Sequence, residues 1–133
     1  MKNLKYINKM DDNFIVKDSG KRVDYISGMV RDVSEDKPRF DLLIGKEQKY
    51  EETLLYRWAM LMMRGAKKYN ARNWEKANGI EELERFKESA FRHLIQGLCG
   101  KEDEDHFAAV CFNLNGIIFL MNKLGVDING NKK

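Results

Sequence analysis

Two long helical patterns separated by only a few residues constrain this chain more than any other feature. Leu83, Phe86, Ala90, Leu94, Gly97 and Leu98 recur at helical spacing within a segment from about Ile80 to Cys99. Val110, Leu114, Ile117, Ile118 and Met121 do the same from about Asp103 to Leu124. Gly100 follows the first segment and Gly125 the second, where helix ends favour a left-handed residue. So short a link makes the two helices antiparallel neighbours. The end of one then lies beside the start of the other. His93 and His106 are the only two histidines, and they flank this link. A meeting of the two rings across the interface is therefore expected.

A further helix is expected from about Tyr50 to Arg64. Tyr50, Leu54, Trp58, Leu61 and Met62 form its apolar stripe, and Gly65 either ends it or lets it continue to Tyr69. Met60, Met62 and Met63 cannot all face one core, so one face is free to meet another subunit. Residues 70–79 read as a loop, with Asn78 as N-cap and Glu81 completing a capping box. Before the helices, Phe14–Lys17 and Arg22–Ile26 flank Asp18-Ser19-Gly20-Lys21 and suggest a β-hairpin. Gly28 to Asp41 reads as an ordered loop, with Pro38 biasing Lys37 toward extended backbone. The expected architecture is mainly α: a compact bundle of three main helices with a short N-terminal hairpin, a single domain over 14–125. Residues 1–13 and 126–133 are expected to be flexible ends.

Composition excludes several classes. The net charge of +3 permits phosphate binding without the concentrated basic face of a nucleic-acid binder. No apolar run is expected to approach the length needed to span a bilayer, and the charged start Met1-Lys2-Asn3-Leu4-Lys5 lacks a secretory signal's apolar core. Cys99 and Cys111 are the only cysteines, so no disulfide framework is expected and the cytoplasm is the default compartment.

The chemistry-bearing residues collect around the helical hairpin. His93, Asp103, Asp105 and His106, with Glu88 or Asn113 helping, make a candidate site for a divalent metal such as Mg²⁺ or Mn²⁺. Imidazole tilts such a site toward transition metals, because magnesium favours oxygen ligands. The bland alternative is that Asp103 and Asp105 cap a helix and His93 bonds across the interface. Arg31, Lys37 and Arg39 lie on one loop and suit phosphate oxygens, or else pair with Asp32 and Asp41. Lys68 reads the same way near a helix C-terminus. Trp74 and Tyr69 offer faces for a base, or pack as core, and Asn73 reads a base edge or makes a turn. A zinc set of His93, Cys99, His106 and Cys111 lacks the close cysteine spacing of a zinc knuckle. Ser89 near His93 raises nucleophilic catalysis, but no oxyanion feature accompanies it.

Several phrases in order carry a family resemblance. They are Ser27-Gly28-Met29-Val30-Arg31-Asp32, Lys37-Pro38-Arg39-Phe40-Asp41, Gly65-Ala66-Lys67-Lys68-Tyr69 and Arg72-Asn73-Trp74. Ser89-Ala90-Phe91-Arg92-His93, Asp103-Glu104-Asp105-His106 and Asn113 complete the set. In these the chain resembles a phage family, the N-terminal domain of dATP/dGTP diphosphohydrolase, itself similar to the all-α MazG-like pyrophosphohydrolases. The resemblance implies hydrolysis of a purine deoxynucleoside triphosphate to monophosphate and pyrophosphate, with a divalent metal, in the host cytoplasm. It also implies a homo-oligomer. His93, Asp105 and His106 would then be catalytic; Arg31, Lys37, Arg39, Lys68, Asn73, Trp74 and Asn113 would bind substrate. The MazG-like metal phrase is only approached by Glu81-Glu82-Leu83-Glu84, whose spacing is one residue short. The alternative is a non-catalytic nucleotide-binding or protein-interaction helical module. An HD-type phosphohydrolase fits less well, because here the acid precedes the histidine.

Overall fold

The computed structural model describes residues 16–133. The segment 1–13 and the beginning of the first expected strand lie outside the described residues. The chain divides into two units, Met1–Leu43 and Ile44–Lys133.

In the first unit, strand β1 (Arg22–Asp24) pairs antiparallel with β2 (Val30–Asp32), with Val23 opposite Arg31. The hairpin is therefore shifted from the expected one: its turn is Tyr25–Met29, and its second strand comes from the segment read as loop. Gly28 explains the shift. At φ 90 it supplies the left-handed residue of the turn, and its N–H donates to the Tyr25 carbonyl at 2.9 Å. The competing turn at Asp18–Gly20 closes on itself, Asp18 Oδ1 accepting from the Gly20 N–H at 2.8 Å.

The second unit holds three helices: α1 (Leu54–Tyr69), α2 (Ile80–Leu98) and α3 (His106–Leu124). The fold is mainly α with a two-stranded antiparallel hairpin, as expected. Thr53 caps α1, its hydroxyl accepting from the Tyr56 N–H at 3.1 Å. Gly65 does not end α1, which continues to Tyr69. At α2 the N-cap is Gly79 rather than Asn78, and the Glu82 carboxylate accepts from the Asn78 N–H at 2.7 Å. Helix α3 starts three residues later than expected, because Asp105 takes the N-cap and accepts from the Ala108 N–H at 3.1 Å. Gly100 and Gly125 both adopt positive φ at the helix ends.

Helices α2 and α3 pack as an antiparallel pair with small residues turned inward. Ser89, Ala90, Ala108, Ala109, Asn113 and Gly116 are all buried between or beside them. Two aromatic rings lie over glycines: Phe107 over Gly97, and Phe86 over Gly116. A Cβ on Gly97 would lie 2.9 Å from the Phe107 ring, and one on Gly116 would lie 2.7 Å from the Phe86 ring. These reciprocal contacts fix the register. The apolar core is Ala77, Leu83, Ala90, Ile117, Leu120 and Val126, joined by Phe86, Met121 and Leu124.

The inward choice of small residues corrects the expected stripes. Leu94, Leu98, Leu114 and Ile118 are exposed, Leu98 by 69% and Ile118 by 60%. Helix α3 is also long and apolar enough to cross a bilayer by length and composition, which corrects the expectation that no apolar run approaches that length. A third of that apolar stretch is buried against the rest of the unit. Residues 126–133 turn back rather than trailing away. Val126 is buried and bridges Lys132, and the Asp127 N–H donates to the Asn131 carbonyl at 2.8 Å.

Helix α1 is tied to the start of α3 by a forked ion pair. Arg57 Nε and Nη2 donate to the two oxygens of Asp105 at 2.8 and 2.7 Å. The loop between α1 and α2 is tied to the other end of α3. Lys123 Nζ donates to the carbonyls of Glu75 and Ala77 at 3.1 and 2.7 Å, and Trp74 meets Phe119 edge-on at 4.9 Å.

Two outcomes test this packing. Gly116→Ala should destabilise the unit by about 1–3 kcal/mol through overpacking against Phe86, and Phe86→Leu should recover part of it; urea denaturation of the single and double variants measures both. The Arg57 fork holds the Asp105 carboxyl below its usual range. Its stabilisation is therefore complete above about pH 5 and is lost as pH falls below about 4. Asp105→Asn should lower stability at neutral pH and flatten that acid limb in thermal melts across pH 2.5–7.

Candidate functional site

The register of α2 against α3 brings His93 and His106 together, as the spacing predicts. Their Nδ1 atoms are 2.9 Å apart. His106 is 2% exposed and His93 half-buried. On its other side, His106 Nε2 lies 2.8 Å from Asp103 Oδ1. Asp103 is an acceptor here, since the bond from His106 holds its carboxyl below the usual range. The proton of a neutral His106 ring is thus on Nε2, which leaves Nδ1 with its lone pair. His93 Nδ1–H then donates to it. Burial, with the nearby charge of Arg92, pushes the His93 pKa down, so this ring is neutral at physiological pH.

This arrangement fits a divalent metal. Ligand atoms of His93, Glu104 and His106 all lie within 4.8 Å of one another. Two adjacent octahedral ligands at 2.0–2.1 Å from an ion are about 3 Å apart, close to the Nδ1 separation here; to ligate through Nδ1, His93 exchanges the tautomer it holds without an ion for the one protonated on Nε2. A carboxylate accepting from the remote ring nitrogen is the usual support of a metal-bound histidine, and Asp103 stands in that position. Two nitrogens and one oxygen suit Mn²⁺ or a later transition ion better than Mg²⁺.

The other expected ligands are engaged elsewhere. Both oxygens of Asp105 hold Arg57, and one also caps α3. Glu88 binds Arg85 at 3.0 Å and Arg92 at 3.1 Å. Asp103 supports His106 from outside. Glu104 takes their place, although the acidic run before α3 reads from sequence as dipole-compensating residues without distinguishing one from another.

A cleft of about 850 Å³ opens beside this group, walled by α1, α2, α3 and the loop that joins α1 to α2. His93 and Glu104 line it. So do Arg64, Lys68, Arg72, Lys76, Arg85 and Arg92, against only one further carboxylate, Glu82. Arg72 is held by Glu75 at 2.6 Å, and Arg85 and Arg92 by Glu88. Among the described residues, Arg64, Lys68 and Lys76 have no carboxylate within ion-pair distance. Lys68 Nζ lies 4.8 Å above the Tyr69 ring. Tyr69, Asn73, Trp74 and Asn113 also reach the cleft. Trp74 is half-buried and anchored on Phe119, so it is part of the wall.

Of the substrate residues expected from sequence, Lys68, Asn73, Trp74 and Asn113 gather here. Arg31, Lys37 and Arg39 belong to the first unit, where Arg39 forks onto Asp41 at 2.8 and 2.7 Å and Lys37 lies 3.9 Å from Asp32. Arg64, Arg85 and Arg92 were not singled out from sequence. The signal was present: Arg85 and Arg92 are two turns apart, on one face with Ser89, and Arg64 precedes Lys68 by one turn.

The whole arrangement — a cationic cleft with an imidazole pair and a carboxylate at one end — is suited to a polyphosphate and its counter-ion. A family model described as dATP/dGTP diphosphohydrolase, N-terminal, matches residues 27–127. No curated protein and no solved structure gives a significant match. Matched over most of its length, the chain belongs to the family of dATP/dGTP diphosphohydrolase N-terminal domains.

Proposed function

We propose that the cleft binds a purine deoxynucleoside triphosphate and that the chain hydrolyses it to the monophosphate and pyrophosphate. The observation that carries this reading is the meeting of His93 and Glu104 with unpaired cations of α1 and the adjoining loop in one cleft. The description of the family supports the same substrate class. In the reaction, water attacks the α-phosphorus, the bond from that phosphorus to the α–β bridging oxygen breaks, and a proton passes to solvent.

His93, Glu104 and His106 would hold a divalent ion, Mn²⁺ in preference to Mg²⁺. Such an ion, when bound, supplies Lewis-acid stabilisation of phosphate charge and a more acidic water. Asp103 orients His106 by accepting from Nε2–H. Arg64, Lys68 and Lys76 neutralise the charge that builds on the phosphate oxygens. Tyr69 and Trp74 contribute apolar wall for the nucleoside. No part in this is given to Arg31, Lys37 or Arg39, two of which already face carboxylates.

A homo-oligomer is also part of the reading. It is supported by the large apolar side chains left outside on the helical hairpin, among them Phe91 at 70% exposure and Leu98 at 69%.

Pyrophosphate release from dATP or dGTP in Mn²⁺ should fall roughly 10²-fold or more in His93→Ala and Glu104→Gln, with helical circular dichroism retained. Arg64→Ala and Lys68→Ala should each raise KM about 10-fold. Absence of turnover in the unaltered chain with Mg²⁺, Mn²⁺ and Co²⁺ alike would sink the catalytic reading. Light scattering should give a multiple of the single-chain mass, reduced in the Leu98→Glu, Ile118→Lys double variant.

A further inference from the structure

Asn113 lies on α3 two turns after His106. It is only 5% exposed, yet it lines the cleft. Its Nδ2–H donates to the Ala109 carbonyl, one turn back, at 2.8 Å. That bond fixes the amide's orientation, because a carbonyl oxygen cannot accept from Oδ1. Among the described residues, no donor of the chain reaches Asn113 Oδ1. Nor is Oδ1 sealed away, since Gln96 Oε1 is the one fully enclosed side-chain oxygen without a partner among those residues. Asn113 Oδ1 is therefore an acceptor with no donor of the chain, not fully enclosed, on a nearly buried residue that lines the cleft.

Its surroundings narrow what it accepts from. Phe86, Phe112, Ala109 and Ser89 also line the cleft, Ser89 accepting from Arg92 Nη2 at 3.4 Å, and the cations without a carboxylate partner lie on α1 and the loop. A phosphate oxygen would be repelled by a carbonyl oxygen, so the polyphosphate does not belong here. The bond on Nδ2 keeps the amide from turning over, so a group that faces Oδ1 must itself be a donor. What remains is a group carrying N–H or O–H, and on a nucleoside triphosphate only the base and the sugar supply one.

We infer that Asn113 positions the nucleoside, its Oδ1 accepting a hydrogen bond from a base N–H or from the sugar hydroxyl. This rests on the nucleotide reading of the cleft and deepens it. A site built around a buried acceptor rejects a ligand that lacks the matching donor, because the acceptor is then left unpaired. Asn113 is thus a specificity residue rather than a metal ligand.

Calorimetry with non-hydrolysable triphosphates tests it on the full chain. Three ligands are compared: deoxyadenosine, the deoxynucleoside of unsubstituted purine, whose base carries no N–H donor, and the 3′-deoxy analogue of the first. The unaltered chain should bind one of the two analogues about 5- to 100-fold more weakly than the parent. Loss with the purine analogue assigns the base N–H; loss with the 3′-deoxy analogue assigns the sugar. In Asn113→Ala the gap should close, the parent and the weakened analogue binding alike. A merely structural role would lower the melting temperature and leave the gap open. Equal binding of all three ligands to the unaltered chain overturns the inference, as does an undiminished gap in the variant. The analogue series needs no mutant, so it stands even if Asn113→Ala fails to fold. Binding of none of the three, and of no deoxyguanosine triphosphate analogue either, would instead remove the nucleotide reading itself, and this inference with it.

Discussion

Close approach of α2 and α3 is the constraint on which the rest of the second unit depends. Two helices can bring polar side chains into contact only where the residues between their backbones are small. Gly97 and Gly116 each admit an aromatic ring from the opposite helix, and Ala90 and Ala109 keep the interface narrow. Because the ring contacts run in both directions, sliding one helix along the other would clash at both. The imidazole pair inherits that rigidity. The 2.9 Å contact between His93 and His106 is set by packing several residues away.

This mixed interface, with small and polar residues among the buried ones alongside Leu83, Ile117 and Leu120, explains both what sequence could reveal and what it could not. The three helices, their approximate lengths and the facing histidines follow from spacing and from the brevity of the link at Gly100. The faces do not. Leu94, Leu98, Leu114 and Ile118 have the period of a buried stripe, but the preference for apolar burial cannot register that a glycine opposite a phenylalanine packs more closely. Periodicity ranks residues by hydrophobicity, and this interface selects by volume. The shifted β-hairpin is a second case. Asp18-Ser19-Gly20 and Gly28 both carry turn chemistry, and the choice between them is made by the pairing of Arg22–Asp24 with Val30–Asp32.

The site divides along the same line. His93 and His106 were legible because their separation brackets a turn. In the run Asp103-Glu104-Asp105 the three carboxylates are equivalent on paper, yet the structure gives each a different task. Asp103 supports His106, Glu104 reaches the cleft, and Asp105 caps α3 while holding Arg57. One residue of rotation at the start of a helix changes a side chain's direction by about 100°. Where the N-cap falls therefore decides which acid does which job, and Arg57, far away in sequence, helps to fix it.

Lys123 is the only lysine or arginine in α3, and it spends its donors on two carbonyls of the loop that walls the cleft. With the Trp74–Phe119 contact, it fastens that segment to the helix carrying Asn113. Freezing a wall segment normally weakens the affinity of whatever ligand does the freezing. Here the immobilisation of this segment happens when the chain folds, so ordering it is not left to a ligand that enters the cleft.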